Sequence, residues 1–334
     1  MIDLSSTYMG LKLPSPVIAS ASPLNSNLDN LRALQEMGAG AVVLPSVFEE
    51  QIEREQELIG ALIDRGAESF GEALSYFPSG ASYAWDTANH LTLIERAATA
   101  LEIPVIAILN GTTDSGWVDY ACDIEAAGAT ALELNIFFVP SDPTLSGAEV
   151  EQRYLDIVEA VSMSVSVPVA VKVGPYFSSP GHMAGRLAKA GASGLVLFNR
   201  FYQPDIDPAT LSLVPSLELS HRDEMRLPLL WIGVLSGRIE ASLAATTGVE
   251  TPEDVVKYLL AGADVVMTTS ALLRHGIGHM KALVDGLAEW LAARGATSPE
   301  AIRGRLSRSN ARNTEAEAYE RANYIRVLQS FEEA

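Results

Sequence analysis

Two short apolar segments on either side of a helix-forming segment constrain the fold of this chain most strongly. Residues 242–249 and 264–271 are apolar, β-branched runs that end in small hydroxyl or glycine residues. Between them, Thr251 precedes Pro252, acidic residues follow at once, and Gly262 ends the segment. Those are the start and stop signals of a capped helix. The stretch therefore predicts a strand, a helix and a second strand.

The two predicted strand ends offer backbone N–H groups and hydroxyls to an anion. Successive strand ends of this kind form the phosphate site at the last two βα loops of a (β/α)8 barrel. A phosphate there would belong to a phosphorylated substrate or to a cofactor such as FMN. The alternative is an ordinary strand–helix–strand unit with a glycine turn.

Similar apolar runs alternate with helical segments through the rest of the chain. The six earlier predicted strands are residues 15–20, 41–44, 104–109, 131–136, 168–173 and 194–198. The apolar segment 227–238 is compatible with a strand or a helix, and Pro228, Arg238 and the strand count favour the helix. Eight strands alternating with helices predict an α/β fold, a single parallel (β/α)8 TIM barrel.

Two regions depart from the alternation. Residues 47–100 form a long insertion after the second strand, and such insertions tend to cover the active-site end of a barrel. Beyond the last strand, 272–294 predicts a helix and 315–332 predicts a second, highly charged helical piece. We expect a barrel domain over residues 1–295 and a C-terminal helical extension over 296–334 that packs on it.

Charge and composition exclude several classes of partner. The 334 residues carry a net charge of −19, so phosphate backbones and anionic membranes should repel the chain. No apolar run approaches the length of a membrane span, and the N-terminus does not resemble a signal peptide. Cys122 is the only cysteine, which excludes an intrachain disulfide and is typical of a cytoplasmic protein. We expect Cys122 to be a buried packing residue, and we expect no metal site.

Lys172 is the most informative of the residues at predicted strand ends. It follows Val-Ala-Val in the fifth strand, where alternation points it into the barrel mouth. A buried lysine needs an anionic partner or a lowered pKa. Near a flavin, it would stabilise negative charge on the reduced ring. The alternative is an ion pair with a carboxylate of a neighbouring strand, such as Glu133.

Asn135 and Asn199 end the fourth and sixth predicted strands. An amide offers a donor and an acceptor, which match a pyrimidine-type edge on a cofactor or a substrate. Either side chain could instead cap a βα turn. Ser20, Ser22, Pro45, Ser46, Asn110, residues 246–248 and residues 268–270 occupy the other strand ends.

The chain resembles the dihydroorotate dehydrogenase family, and within it the class 1-like proteins, from residue 3 to residue 290. The matching segments are 10–22, 133–136, 171–177 and the two phosphate-site segments. The resemblance implies an FMN-binding barrel that oxidises dihydroorotate to orotate in pyrimidine biosynthesis. In that family the flavin takes a hydride while a Cys or Ser base takes a proton.

By position, the resemblance implies a role for each candidate residue. Lys172 would contact the flavin ring, while Asn135 and Asn199 would face the ring or the substrate, and these three form the expected catalytic set. The remaining cofactor-binding residues implied are Ser20, Ala21, Ser22, Ser46, Asn110, Thr247, Gly248, Thr269 and Ser270.

The departures from the family pattern concern the substrate side. Phe138 falls at the position of the base, and Pro45 at that of a lysine that contacts substrate and flavin. Phenylalanine cannot accept a proton. Ser141, Asp142 and Tyr176 are the candidate replacements on loops.

Three hypotheses follow. The leading one is an FMN-dependent oxidoreductase that resembles dihydroorotate dehydrogenase but has an altered substrate, pyrimidine-like or another small acid, or altered acid–base chemistry. The second retains dihydroorotate oxidation with a poorer base. The third is a catalytically degenerate paralogue, with or without flavin, that serves as a partner or electron relay, with Phe137 and Phe138 walling off the flavin face. A homodimer and a separate electron-transfer chain stay open.

Overall fold

The computed structural model describes residues 2–48, 87–111, 117–136, 138–200, 204–214, 218–311, 317–320 and 323–329. The acidic and aromatic pieces of the predicted insertion, which fall between residues 49 and 86, lie outside this part of the chain. Within it, no helix combines the length and the apolar character that a membrane crossing requires.

Parallel strands close into the predicted barrel. In chain order, the strands are β1 (Ser6–Tyr8), β2 (Leu11–Leu13), β3 (Val17–Ala19), β4 (Val42–Val43), β5 (Val47–Phe48), β6 (Val105–Gly111), β7 (Ala131–Ile136), β8 (Val169–Val173), β9 (Gly194–Leu197), β10 (Asp205–Asp207), β11 (Ser212–Val214), β12 (Ser242–Ala245) and β13 (Val265–Thr268). The barrel order is β3-β4-β6-β7-β8-β9-β12-β13, and β13 pairs with β3 to close the ring. Strand β5 extends the pairing with β6, and β10 and β11 form a separate hairpin. The prediction of a (β/α)8 barrel is confirmed.

Helices follow the strands around the outside. They are α1 (Leu28–Glu36), α2 (Thr87–Ala100), α3 (Trp117–Ala126), α4 (Gly147–Ser164), α5 (Pro180–Lys189), α6 (Arg226–Leu235), α7 (Pro252–Ala261), α8 (Ser270–His275), α9 (His279–Ala293) and α10 (Asn323–Gln329). The ambiguous segment 227–238 is helical, as the strand count favours. Helix α7 has the predicted capping, with Thr251 and Asp254 in a capping box and Gly262 in the left-handed conformation at its end.

Two expectations from the sequence are wrong. The helix predicted over 272–294 is two helices, because Gly276 has a φ of +83° and the chain turns there before α9 begins. Cys122 is exposed rather than buried, with its Sγ 3.5 Å from the Ser164 carbonyl oxygen.

Alternation along the strands creates two apolar layers. Outward side chains pack under the helices in one large cluster. Inward side chains fill the barrel in a second cluster, as the strand period of two requires. Its strand members are Ile18, Val43, Ile106, Ile108, Ala131, Ala170, Val196, Ala244, Val265 and Met267.

The antiparallel pair of β1 and β2 closes the amino-terminal end of the barrel. Tyr8, Met9 and Leu13 are buried and belong to the inner cluster. The Met9 N–H donates to Ser242 Oγ at the start of β12, at 3.1 Å. An ideal Cβ on Gly194, the first residue of β9, would lie 2.9 Å from Met9 Cγ and 3.0 Å from Tyr8 Oη. Glycine at position 194 therefore makes room for the hairpin.

The described part of the C-terminal segment attaches to the barrel through backbone hydrogen bonds. The N–H groups of Gly304 and Leu306 donate to the carbonyls of Leu259 and Leu260 at the end of α7, at 2.8 and 2.9 Å. This pairing satisfies carbonyls that a helix end leaves without a partner.

His90 is a buried polar side chain on α2. Its Nδ1 lies 2.9 Å from Tyr120 Oη, and the residue is fully buried. Burial penalises the charged imidazole and lowers the pKa of His90 to about 4. His90 is therefore neutral in the folded protein at neutral pH.

We predict that Gly194→Ala lowers the free energy of unfolding by about 2 kcal/mol, because the added methyl group collides with the closing hairpin. Urea unfolding measures the change. Gly185→Ala, inside α5 with open space around the new Cβ, is the control and should stabilise by roughly 0.5–1 kcal/mol. Equal effects of the two substitutions would contradict the packing described for Gly194.

A second prediction concerns acid stability. Because the folded-state pKa of His90 lies below the value of about 6.5 for an unfolded chain, the unfolded state binds more protons between these values. The neutral His90 side chain therefore contributes about 3 kcal/mol to the free energy of unfolding above pH 6.5, and this contribution is lost as the pH falls toward 4. Urea unfolding at several pH values should show a shallower acid loss for His90→Gln. The exposed His182, changed to Gln, should retain the wild-type slope. Superimposable profiles for His90→Gln and the wild type would exclude this role.

Candidate functional site

A cleft opens at the carboxyl ends of the barrel strands. It has a volume of ≈ 300 Å³ and is bordered by the residues that follow β3, β8, β9, β12 and β13. We refer to it as the main cleft. The predicted cofactor-binding residues on its wall are Ser20, Ala21, Ser22, Lys172, Asn199, Thr247, Gly248, Thr269 and Ser270. The fold thus gathers most of the predicted set, drawn from positions 250 residues apart in sequence, around one space.

Three polar residues form a row across adjacent strands. Asn110 pairs with Asn135 in the register of β6 and β7, and Asn135 pairs with Lys172 in that of β7 and β8. Each follows an inward residue by two positions, so all three side chains point to the barrel mouth. Asn110 and Asn135 are buried side by side and neither lines the main cleft, and the half-buried Ser46 does not line it either.

Asn135 and Asn199 contact each other. Asn199 Nδ2 donates to Asn135 Oδ1 at 2.6 Å. This bond leaves the Asn199 carbonyl oxygen as an acceptor and the Asn135 amide nitrogen as a donor. One acceptor and one donor side by side complement a cyclic amide, which presents the opposite pair.

Lys172 reaches the cleft and also forms the ion pair that was its alternative interpretation. Its Nζ lies 3.3 Å from Glu133 Oε1. The Glu133 side chain is fully buried, whereas 13% of the Lys172 side chain is exposed, at the floor of the cleft. The pair satisfies the charge of the buried carboxylate and fixes the lysine. The two interpretations therefore describe one arrangement.

Backbone conformation shapes the part of the cleft that follows β12. Thr247 and Gly248 have φ values of +83° and +72°, so two successive residues adopt the left-handed conformation. An ideal Cβ on Gly248 would lie 2.7 Å from the His221 carbonyl oxygen, so only glycine fits. With Thr269 and Ser270, these residues form what we call the anion cup, in which hydroxyls and N–H groups face one space.

Ser220 also belongs to the anion cup, and no sequence pattern predicts its place there. Its Oγ lies 2.9 Å from Ser270 Oγ and accepts a hydrogen bond from the Gly248 N–H at 3.2 Å. Arg274 anchors the Ser220 carbonyl oxygen from below at 2.8 Å. Ser220 follows a hairpin and precedes a short 3₁₀ turn, a stretch with no periodicity from which its position could be predicted.

A second cavity of ≈ 320 Å³ adjoins the main cleft and shares Asn199 and Thr247 with it. Tyr176 and Arg226 line its outer part. Arg200, on the shared wall, is held by Glu224 at 2.8 Å. A ligand in the main cleft therefore has room beside it for a second small molecule.

Phe138 does not wall off the cleft. Its ring lies under the Arg153 guanidinium, whose Cζ is 4.4 Å from the ring centroid, and it packs against the outer apolar layer. Phe137 lies outside the described residues. The expectation that the Phe pair covers the flavin face is therefore wrong for Phe138, which points toward α4.

The loop candidates for a replacement base differ in their engagement. Asp142 Oδ1 accepts hydrogen bonds from the Thr144 N–H and hydroxyl, at 2.8 and 2.7 Å. These bonds lower the pKa of Asp142, which makes it a weaker base. Ser141 is exposed on the same loop, and Tyr176 borders the second cavity. None of the three lines the main cleft.

His275 and His279, four residues apart, both contact Glu250 near α8. His275 Nε2 contacts Glu250 Oε1 at 2.9 Å, and His279 Nε2 contacts the Glu250 carbonyl oxygen at 2.8 Å. Within the described part of the chain, no three or more His, Cys, Asp or Glu side chains are grouped to hold a metal ion.

Comparisons with known proteins agree with the geometry. No family model matches the chain. A provisionally named dihydroorotate dehydrogenase A (fumarate) of Aeropyrum pernix is 28% identical over 316 residues, which cover 92% of this chain and 98% of that one. The dihydroorotate dehydrogenase B (NAD(+)) catalytic subunit of Thermoplasma volcanium is 26% identical over 83% of this chain and 90% of its own.

A third relative acts on a related ring. The NAD-dependent dihydropyrimidine dehydrogenase subunit PreA of Escherichia coli is 21% identical, over 90% of this chain and 76% of its own. The relatives are thus dehydrogenases of dihydroorotate and of dihydropyrimidines. Over most of its length, this chain is similar to dihydroorotate dehydrogenases and dihydropyrimidine dehydrogenases.

Proposed function

We propose that the protein is an FMN-dependent oxidoreductase that acts on a CH–CH bond of dihydroorotate or of a related dihydropyrimidine. One observation carries the proposal: Lys172 and the anion cup line a single cleft. A flavin mononucleotide needs both, a cation for its ring and donors for its phosphate. The names of the relatives support the same reaction class.

The residues present fit this cofactor. Lys172 would face the ring, the segment Ser20–Ala21–Ser22 would line it, and the anion cup would bind the phosphate. The Gly248 N–H donates to Ser220 Oγ, and Ser220 Oγ lies 2.9 Å from Ser270 Oγ, so these bonds hold two hydroxyl groups in place at the cup. When bound, the flavin would supply the hydride acceptor. The positive charge of Lys172 would stabilise the negative charge that hydride transfer places on the ring.

The asparagine pair supports a cyclic amide as the substrate class. The donor of Asn135 and the acceptor of Asn199 would orient its edge, and the second cavity offers space beside the ring. Because Phe138 cannot take a proton, the reaction lacks the usual positioned base. Such a loss typically costs about 10²–10⁴-fold in rate.

The testing experiment is the visible absorption spectrum of the purified protein supplied with FMN, followed by anaerobic addition of dihydroorotate or dihydrouracil. We expect the protein to bind flavin and either compound to bleach the flavin absorption. The compound that bleaches it faster identifies the substrate. Protein that retains no FMN after gel filtration would contradict the proposal.

A second candidate function is an electron relay that binds flavin without a substrate of its own. The absence of a proton acceptor at Phe138 and the engagement of Asp142 in its turn favour it. The relatives named as catalytic subunits make a separate electron-transfer chain a natural partner. Flavin that bleaches with a chemical reductant but with neither dihydropyrimidine would select this function.

A matched pair of glycine variants tests the anion cup. Gly248→Ala and Gly237→Ala both place a side chain at a φ near +70°, which costs about 1 kcal/mol or more in stability. Only the first collides with the segment that carries Ser220, because its new Cβ would lie 2.7 Å from the His221 carbonyl oxygen and from Met225 Cγ, which displaces one side of the cup. We expect Gly248→Ala to weaken FMN binding roughly tenfold to hundredfold, as for a lost hydrogen bond to a charged group.

Fluorescence titration of the apoprotein with FMN measures this difference. Gly237→Ala should bind FMN like the wild type, since its new Cβ meets only Ser309 Oγ at 4.0 Å. A Gly248→Ala protein that is folded and binds FMN with unchanged affinity would remove the anion cup from the cofactor site.

A further inference from the structure

Glu133 stands out inside the barrel as a carboxylate with no exposure to solvent. It lies on β7 between Ala131 and Asn135, and its inward neighbours on other strands are apolar. Burying a charge in such surroundings is costly unless it is paired and hydrogen-bonded. Oε1 has Lys172 at 3.3 Å, but Oε2 is buried without a hydrogen-bond partner. The carboxylate is thus only half satisfied.

A second unsatisfied polar atom lies in the same layer of the barrel. Tyr8 Oη is buried and has no hydrogen-bond partner. It lies beside Gly194, where an ideal Cβ would be 3.0 Å away. Strand register places Glu133 level with Ala170, and Ala170 level with Gly194. The residues level with Glu133 on the next two strands are therefore small, and the second of them borders the Tyr8 hydroxyl.

The two groups interact electrically. The pKa of Tyr8 is raised well above its usual value, first by burial and next by the negative charge of Glu133. The tyrosine is consequently a neutral O–H group, and a donor is what Glu133 Oε2 lacks.

We propose that Tyr8, Glu133 and Lys172 form one line through the barrel, in which the Tyr8 hydroxyl faces the Glu133 carboxylate and Glu133 positions Lys172 and balances its charge. The inference rests on the proposed flavin site. The N-terminal hairpin does not line the main cleft. The inference nevertheless gives this hairpin a role in setting the electrostatic potential at the flavin ring. Glu133 and Tyr8 are positioning residues, since neither lines the cleft.

The electrostatic consequence has a definite sign. Paired, Lys172 and Glu133 carry no net charge, so the ring meets an ammonium group whose field is partly cancelled. Glu133→Gln keeps the shape of the side chain and removes the negative charge. The remaining cation should then stabilise any added negative charge on the ring more strongly.

Sulfite binding to the oxidised flavin is a readout of that charge that does not depend on turnover, because the adduct places negative charge on the ring and bleaches its absorption. We expect Glu133→Gln to tighten sulfite binding to the FMN-loaded protein about tenfold. Tyr8→Phe, which removes only the hydroxyl, should shift the affinity in the same direction by a smaller factor. Glu133→Asp should return toward the wild-type value.

A double-mutant cycle separates this role from a merely structural one. In a Lys172→Met background, Glu133 loses its partner, and a lone buried carboxyl group takes up a proton. Adding Glu133→Gln there should change sulfite affinity little, because one neutral group replaces another. Equal factors in the two backgrounds would overturn the proposal.

The possible failures are distinguishable. FMN-loaded Glu133→Gln protein with wild-type sulfite affinity would overturn this inference and leave the proposed function standing. A wild-type protein that binds no FMN would overturn both. Thermal unfolding of the loaded variants identifies any that are not folded, and Glu133→Asp and Tyr8→Phe then provide the same comparison.

Discussion

Backbone hydrogen bonds between β6, β7 and β8 hold Asn110, Asn135 and Lys172 in one row. Because side chains alternate between the two faces of a strand, a slip of one residue in β8 would turn Lys172 toward the helices. An apolar valine would then face the mouth. The closed ring of strands prevents such a slip, since every strand is paired on both sides. The chemistry of the cleft is thus set by the pairing beneath it.

Charge is distributed unevenly between the surface and the cleft. The chain carries a net charge of −19, yet Lys172 and Arg200 line the main cleft and Arg274 supports its rim. The left-handed turn at Thr247 and Gly248 adds N–H groups without adding charge. An anionic group therefore finds local donors within a protein that repels anions over most of its surface, which favours ligands small enough to enter the cleft.

The strands and their end residues were predictable from sequence for a physical reason. Parallel strands are buried on both faces, so they appear as continuous apolar runs, and the position of Lys172 in its run fixes where it points. The loops lack such a rule. The sequence therefore did not predict that Ser220 belongs to the anion cup or that Phe138 packs against Arg153. It also did not predict that Asn110 and Ser46 do not line the cleft.

The ring closes where β13 pairs with β3, and this seam joins the two ends of the barrel sequence. Thr269 Oγ1 donates to the Ala21 carbonyl oxygen across it at 3.4 Å, a contact between residues 248 positions apart. Loops this long close slowly, because chain entropy must be lost before the contacts form. During synthesis, residues 20–22 can form their side of the cleft only after the last strand has left the ribosome. The cleft is thus among the last parts of the molecule to form, and a nascent chain cannot bind a ligand there before the barrel closes.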